Sequence, residues 1–349
     1  MEPGIKKRSY LLSFAFLLLL AGATYWMLLR EYPLPELREA IDMADNWLLG
    51  LSVLCAAGFA VGESVCIYEI LRSLKVPLRY ASCFSCSLLG IYFAAITPSA
   101  SGGQPAQVYY LRKKGVPVAQ GTVAMLLLTV IYKAVLLLVG LPLALLEAPI
   151  VFIGLPYFRI LFCFGILVNT VLIFGCLLLM FSKKIVYKLS GWLLWLLQKL
   201  RLQARSQKTR EKLDRQLEEY HAAAEYLRDH RAVVGRVTVY TILQRFSMFS
   251  VAYCIYRAFG LNALSWTEVL AIQIATALAV DSLPLPGAVG AAEGVFLGLY
   301  RGIYGGTLLV PALLLTRGAS FYLPALICGI FTASYAILGG FQKKRGKEL

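Results

Sequence analysis

The sequence predicts an all-α polytopic membrane protein of about eight transmembrane segments, two of them re-entrant helical hairpins set in an inverted repeat. Three observations carry this. Hydrophobic residues make up 59% of the 349-residue chain and charged residues only 15%, with a mean hydropathy of +0.70, whereas a soluble domain carries about 25% charged residues. The apolar residues fall in blocks of roughly 20, enough to cross about 30 Å of hydrocarbon. Two segments, around residues 97–111 and 283–301, are broken by Pro and Gly within otherwise apolar sequence.

The blocks place spans at 10–29, 47–71, 80–96, 118–146, 157–181, 232–259, 266–283 and a last one ending near 340. The first resembles a secretory signal, but its apolar run is too long and Arg30-Glu31 follow where a small-residue cleavage site belongs. Basic residues flank the cytoplasmic side of spans. Lys6, Lys7 and Arg8 therefore set the N-terminus inside, the acidic loop from Arg30 to Asp45 outside, and Arg72, Lys75 and Arg79 inside again.

Charge parity turns the broken segments into hairpins. The third block starts inside at about Tyr80, and Arg112, Lys113 and Lys114 follow some 30 residues later. A segment that goes in, breaks between Pro98 and Pro105 and returns keeps that basic triplet inside without a second short crossing. The block 266–283 starts from outside and breaks at Asp281-Ser282-Leu283-Pro284-Leu285-Pro286-Gly287. The tail Lys343-Lys344-Arg345 is expected inside, and parity holds if 266–301 is again a hairpin. The sequence leaves open whether 303–316 is a separate helix, because Arg317 and Pro324 interrupt that region.

The chain is expected to form one membrane domain over 1–349. Repeat 1 covers about 47–146, repeat 2 about 232–340, and a charged helical insert occupies 182–231. Within the insert, Ile185, Leu189, Trp192, Leu196 and Leu200 form an apolar stripe that suits an interfacial helix. Residues 203–231 carry mixed charge, with Leu213, Leu217, Tyr220, Ala224 and Leu227 on one face to pack on the bundle or on a second copy. Inverted repeats of this kind are common in secondary transporters.

Non-helical backbone at membrane depth must be buried in protein or face water, since unpaired N–H and C=O groups cost several kcal/mol each. Two breaks thus imply a shared polar interior. Gly102, Gly103 and Gln104 at one break, and Gly287 and Gly290 behind Pro286 at the other, are expected to present backbone N–H groups and helix N-termini to an anion such as a phosphate. Arg112 follows the first break. Lys133 and Arg245 lie near the middle of their spans, Asp281 and Glu293 flank the second break, and Glu63 lies about two turns from its span end. Charges at such depth face an interior or a partner. Two readings stand: Lys133 and Arg245 neutralise an anionic headgroup with Asp281 and Glu293 as counter-charges, or all four form internal ion pairs.

Other chemistry finds little support. The net charge of +15 lies in short loops and at span ends, which fits topology and lipid headgroups rather than nucleic acid. Eight cysteines and two histidines are present; Cys83 and Cys86 form a C-x-x-C with no second pair at metal spacing, so neither a metal site nor a disulfide framework is read. No catalytic or nucleotide-binding motif occurs, and no cofactor is expected.

Thr97-Pro98 with Gly102-Gly103-Gln104-Pro105, and Pro284-Leu285-Pro286-Gly287-Ala288-Val289-Gly290-Ala291-Ala292-Glu293-Gly294, resemble the two signature segments of the flippase-like, lysylphosphatidylglycerol synthase transmembrane family. The resemblance covers nearly the whole chain, although Pro-Gly-Gly is common where Pro286-Gly287-Ala288 stands. It implies a multi-pass protein of the bacterial cytoplasmic membrane that moves an anionic or aminoacylated phospholipid, or a polyprenyl-phosphate-linked lipid. It also implies that the separate C-terminal synthase domain of bifunctional members is missing here. A homo-oligomer would form through the bundle or helix 203–231. The alternatives are a membrane enzyme acting on a lipid headgroup and a non-transporting scaffold.

Overall fold

The computed structural model describes residues 34–152, 157–185, 188, 207–281 and 283–345. The expected first span at 10–29 and most of the interfacial stripe at 185–200 lie outside them. The described chain is helical: α1 Leu34–Asp42, α2 Asn46–Ser73, α3 Tyr80–Ile96, α4 Gly103–Lys113, α5 Val118–Leu146, α6 Ala148–Val151, α7 Phe158–Phe181, α8 Gln207–Asp229, α9 Arg231–Ala258, α10 Trp266–Val280, α11 Ala291–Arg317 and α12 Leu323–Arg345. Four helices are long and apolar enough to cross a membrane: Asn46–Ser73, Val118–Leu146, Phe158–Phe181 and the run Ala291–Tyr335, with Tyr80–Ile96 and Trp266–Val280 as shorter apolar helices. Helix α9 matches the expected span at 232–259 in length, yet Arg236, Gln244 and Arg245 keep it out of that apolar set.

The frame is an antiparallel pair, α2 and α9, each of 28 residues. At one end the Asp45 N–H donates to the Ala258 carbonyl at 2.9 Å, and near the other Arg236 pairs with Glu69 at 3.3 Å. Between them Gly58 and Gly62 form a G-x-x-x-G step. A Cβ would stand 2.6 Å from Ser247 Oγ at the first and 2.8 Å from Gln244 Cβ at the second. Glycine is needed there because lipid supplies no hydrophobic drive between helices, and close backbone approach supplies packing instead.

Helix α3 comes back along α2 from the Ser73 end: Ser64 bonds Tyr80 at 2.7 Å, and Ser87 donates to the Ala60 carbonyl at 3.1 Å. At 17 residues α3 rises about 25 Å and stops at Thr97. Helix α4 then returns against it, with the Gln107 side chain lying where a Cβ on Gly90 would be. Helix α10 instead begins at the Ala258 end, where Ser265 caps it and Trp266 donates to Ser250 Oγ at 2.9 Å. The two hairpins therefore enter the bundle from opposite ends.

Their tips meet. Pro98 and Pro286 form an antiparallel bridge, and Ser99 Oγ donates to the Leu283 carbonyl at 3.1 Å. The tips also share one hydrogen-bond pattern at a constant offset of 188 positions (98 to 286, 102 to 290). Ala100 and Ser101 donate to Thr97 and Pro98, as Ala288 and Val289 donate to Leu285 and Pro286. Ala106 donates to Gly102 as Gly294 does to Gly290. In each tip the residue after proline and the alanine beyond it have positive φ: Ser99 50° and Ala100 55°, Gly287 59° and Ala288 52°. The two turns, which share Pro98/Pro286, Ala100/Ala288 and Gly102/Gly290, are thus one conformation, and the inverted arrangement read from hydropathy reappears in the backbone.

The region 303–316 also resolves. Gly305 has φ 67° and ψ −172°, a conformation that interrupts α11. A straight helix would carry Arg317 about 36 Å from Glu293, but the two are ion-paired at 2.8 Å. The chain therefore runs out to Tyr304, which packs on Tyr256 and Phe259, reverses at Gly305, and returns. Residues 306–317 are the first half of the final span, joined to α12 through a π-helical turn at Gly318–Tyr322.

Helix α8 buries Leu217, Tyr220, Ala224 and Leu227. Tyr220 donates to the Leu179 carbonyl at 2.7 Å and Glu225 pairs with Lys183 at 3.4 Å, so this face packs on the bundle. The core divides into two large apolar clusters, one toward the Ala258 end and one toward the Ser73 end. Along α9 the Ser73-end cluster stops at Val237 and the other starts at Phe249; along α5 they change over between Val135 and Leu136. The ionisable residues gather along this seam.

Candidate functional site

Arg245 stands at the midpoint of α9, with Tyr132 and Lys133 at the midpoint of α5. Asp281 ends α10 at the second tip. The Arg245 guanidinium stacks on the Tyr132 ring, its Cζ 3.3 Å from the centroid, with the Phe59 ring 4.8 Å away on α2. Tyr132 Oη donates to Asp281 Oδ2 at 3.0 Å, and Lys133 Nζ lies 5.1 Å from the same ring. Among the described residues neither Arg245 nor Lys133 makes an ion pair, and Arg245 Nε is buried without a hydrogen-bond partner. The first tip reaches the same level, where Gln104 Nε2 donates to Thr129 Oγ1 at 3.4 Å, one turn before Lys133. A cation at the centre of an isolated membrane helix costs at least about 2.5–3.5 kcal/mol. Two aromatic faces return about 2 kcal/mol, which leaves a guanidinium suited to an anion.

Glu63 borders this site on α2. Its carboxylate accepts from Gln107 Nε2 at 2.7 Å and from Ser87 Oγ at 3.1 Å. One acid thus fixes both arms of the first hairpin to the frame. Gly90 is the enabling position, since any side chain there would displace Gln107.

The other expected residues fall into separate places. Glu293 is buried and held inside the second tip, pairing with Arg317 at 2.8 Å and accepting from the Gly290 N–H at 2.7 Å and Tyr322 Oη at 3.2 Å. Arg317 also donates to the Gly287 carbonyl at 3.1 Å, so this pair is a clasp on the break. The open N–H cradle expected at the glycines is absent where the bonds are described. Gly102 donates to Thr97 Oγ1 at 2.9 Å and Gly103 to the Ala100 carbonyl at 3.4 Å, while Glu293 itself occupies the Gly290 N–H. Gly287 has a further constraint, as a Cβ there would run into the Phe321 ring. Arg112 is not brought to the breaks. It is exposed at the far end of α4, beside Lys113 over Tyr109 and Lys114 over Tyr110 and Tyr335.

Three contributors escaped the sequence reading. Tyr132 gave no signal beyond adjacency to Lys133. Gln107 carried one, as a polar residue in a hairpin arm. Arg317 looked like an interruption of the last span, when it is the partner of Glu293.

Long apolar helices, two opposed half-helix hairpins with touching tips and a polar seam between two apolar clusters define an all-α multi-pass membrane protein with a charged interior. The family model described as Lysylphosphatidylglycerol synthase TM region matches residues 10–328, and the chain belongs to that family. No curated protein matches it.

Proposed function

We propose that this protein is a lipid flippase-like transporter that passes a phosphate-bearing lipid headgroup, that of an anionic or aminoacylated phospholipid or a polyprenyl-phosphate-linked lipid, across the bacterial cytoplasmic membrane. The observation that carries the reading is Arg245. Its guanidinium lies at mid-depth between two aromatic rings, with an unpartnered Nε and no acid paired to it among the described residues. Buried ionisable groups in membrane proteins mark substrate paths, and helix breaks at the midplane mark transporter sites.

In this reading Arg245 and Lys133 hold the phosphate while the acyl tails stay in the bilayer. Asp281 holds Tyr132 in place beneath the guanidinium. The hairpin tips, joined at Pro98 and Pro286, separate the two mouths, and rocking of one repeat against the other exposes the cation pair to each side in turn. Positive-inside topology puts the Ser73 end, with Arg112 to Lys114, in the cytoplasm. Movement runs down a lipid gradient or is coupled to an ion gradient.

Reconstitution into liposomes with fluorescent phosphatidylglycerol, its lysyl ester, a polyprenyl-phosphate lipid and phosphatidylcholine tests the proposal through dye quenching from outside. Faster exchange of at least one phosphate-bearing anionic lipid than of phosphatidylcholine is expected. Rates equal to protein-free liposomes for the whole panel contradict it.

A further inference from the structure

We propose a second lipid site, away from the central cations: a groove at the Ser73 end that seats one acyl chain of an anionic phospholipid and holds its phosphate at Arg228 and Arg231. The groove has a volume of about 450 Å³ and runs between α5, α7, the end of α8 and the start of α9. Along α5 its wall extends from Leu127 to Val139, a rise of about 18 Å. One leaflet of hydrocarbon is about 15 Å deep. The headgroup end is set by Arg231, the first residue of α9, and on α5 the groove ends at Val139, about 9 Å beyond the mid-span Lys133, so it runs from the headgroup level past the middle of the bilayer, within the reach of a single acyl chain.

Its polarity is one-sided. Ala134, Leu138, Leu177 and Phe181 are among the apolar walls, while both arginines sit where α8 meets α9. Among the described residues Arg228 pairs with Asp229 at 3.3 Å, and the pair is exposed; such pairs are weak and a phosphate displaces them readily. Arg231 is exposed and makes no ion pair among the described residues. A cationic mouth on an apolar slot is complementary to an anionic amphiphile and not to a zwitterionic one. Leu138 and Phe181 are exposed, so the slot is open to the surrounding lipid. A chain seated there touches α5, α7, α8 and α9 at once and fastens the charged helix α8 to the bundle. The site goes beyond the transport reading, since Tyr132 lies on another face of α5.

Native mass spectrometry of the purified full chain in dodecyl maltoside, titrated with dipalmitoyl phosphatidylglycerol and dipalmitoyl phosphatidylcholine, tests this. Phosphatidylglycerol is expected to bind at least about fivefold more tightly. Arg228→Gln with Arg231→Gln should abolish that preference, and Ala134→Phe should weaken both lipids by filling the slot. The two variants act at opposite ends of the groove, so either one that keeps its thermal transition suffices. Equal affinity for the two lipids, or unchanged phosphatidylglycerol affinity in a folded variant, overturns the site. Both variants should still translocate lipid at the wild-type rate in liposomes where Arg245→Gln slows it about tenfold. Translocation by Arg245→Gln at the wild-type rate would remove the transport reading and leave the groove standing.

Discussion

The Arg245 guanidinium lies over the Tyr132 ring with its Cζ 3.3 Å from the centroid, and the same tyrosine donates to Asp281 at 3.0 Å. The stack joins α9 to α5, and the hydrogen bond joins α5 to the second hairpin tip. Tyr132→Leu removes both links and is expected to slow translocation about tenfold or more. Tyr132→Phe keeps the ring and loses only the bond to Asp281, so a loss of a few fold is expected. Arg245→Lys should behave like Tyr132→Leu, because a compact ammonium does not stack as a planar guanidinium does. Initial rates in liposomes check all three; equal rates for Phe and Leu at 132 would dismiss the stack.

The Glu293–Arg317 clasp should matter for stability. Glu293 is 1% exposed and Arg317 14%, and removing one partner of a buried pair costs about 3–5 kcal/mol. Arg317→Met is expected to lower the melting temperature by several degrees in detergent. Adding Glu293→Gln should recover part of the loss by removing the stranded charge. A double variant destabilised by the full sum of the single changes would mean the pair is not coupled as described.

The bridge between Pro98 and Pro286 makes a cross-linking prediction. Opposed residues in an antiparallel bridge have Cα atoms about 4.5–5.5 Å apart, within disulfide range. Pro98→Cys with Pro286→Cys, in a chain whose native cysteines are replaced, should oxidise to an intramolecular disulfide and stop translocation until reduced. Mobility on gels before and after reductant reports the bond. Absence of cross-linking would separate the tips.

Helix α8 supplies a pH dependence. His221 is buried against the bundle, and its imidazole is held below its usual range first by that burial and then by Lys183, with Glu225 opposing. Protonation is therefore easier when α8 is undocked. Docking is full above about pH 6.5 and weakens as pH falls through that value toward the lower docked pKa. Hydrogen exchange over 215–229 should quicken between pH 7.5 and 5.5, and His221→Phe should remove the change. The same quickening in His221→Phe would assign it elsewhere.

Much of this architecture was legible because membranes impose simple rules. Apolar length located the spans, and basic flanks forced the third and seventh segments to turn back before they crossed. Pro98 and Pro286 then marked where. What stayed hidden depends on contacts between distant residues. Gly58 and Gly62 spell a close helix crossing, but nothing local names α9 as the partner. Glu293 read equally as a counter-charge at the site or as half of an internal ion pair, because its partner, Arg317, lies beyond a reversal that only Gly305 announces. Arg112 was grouped with the first break by sequence proximity, although α4 carries it about 13 Å away along the helix. Arg245 and Lys133 stood out correctly as mid-span charges. Their relation to each other runs through Tyr132, a residue no pattern singles out.

The measurement closest to the central claim compares wild type with Arg245→Gln and Lys133→Gln, singly and together, in liposomes carrying fluorescent phosphatidylglycerol. Folding is verified by the thermal transition, and dithionite reports the leaflet of each probe. The cation pair at the seam predicts that each single change slows exchange about tenfold and that the double variant matches protein-free liposomes. Wild-type exchange by a folded double variant would contradict it.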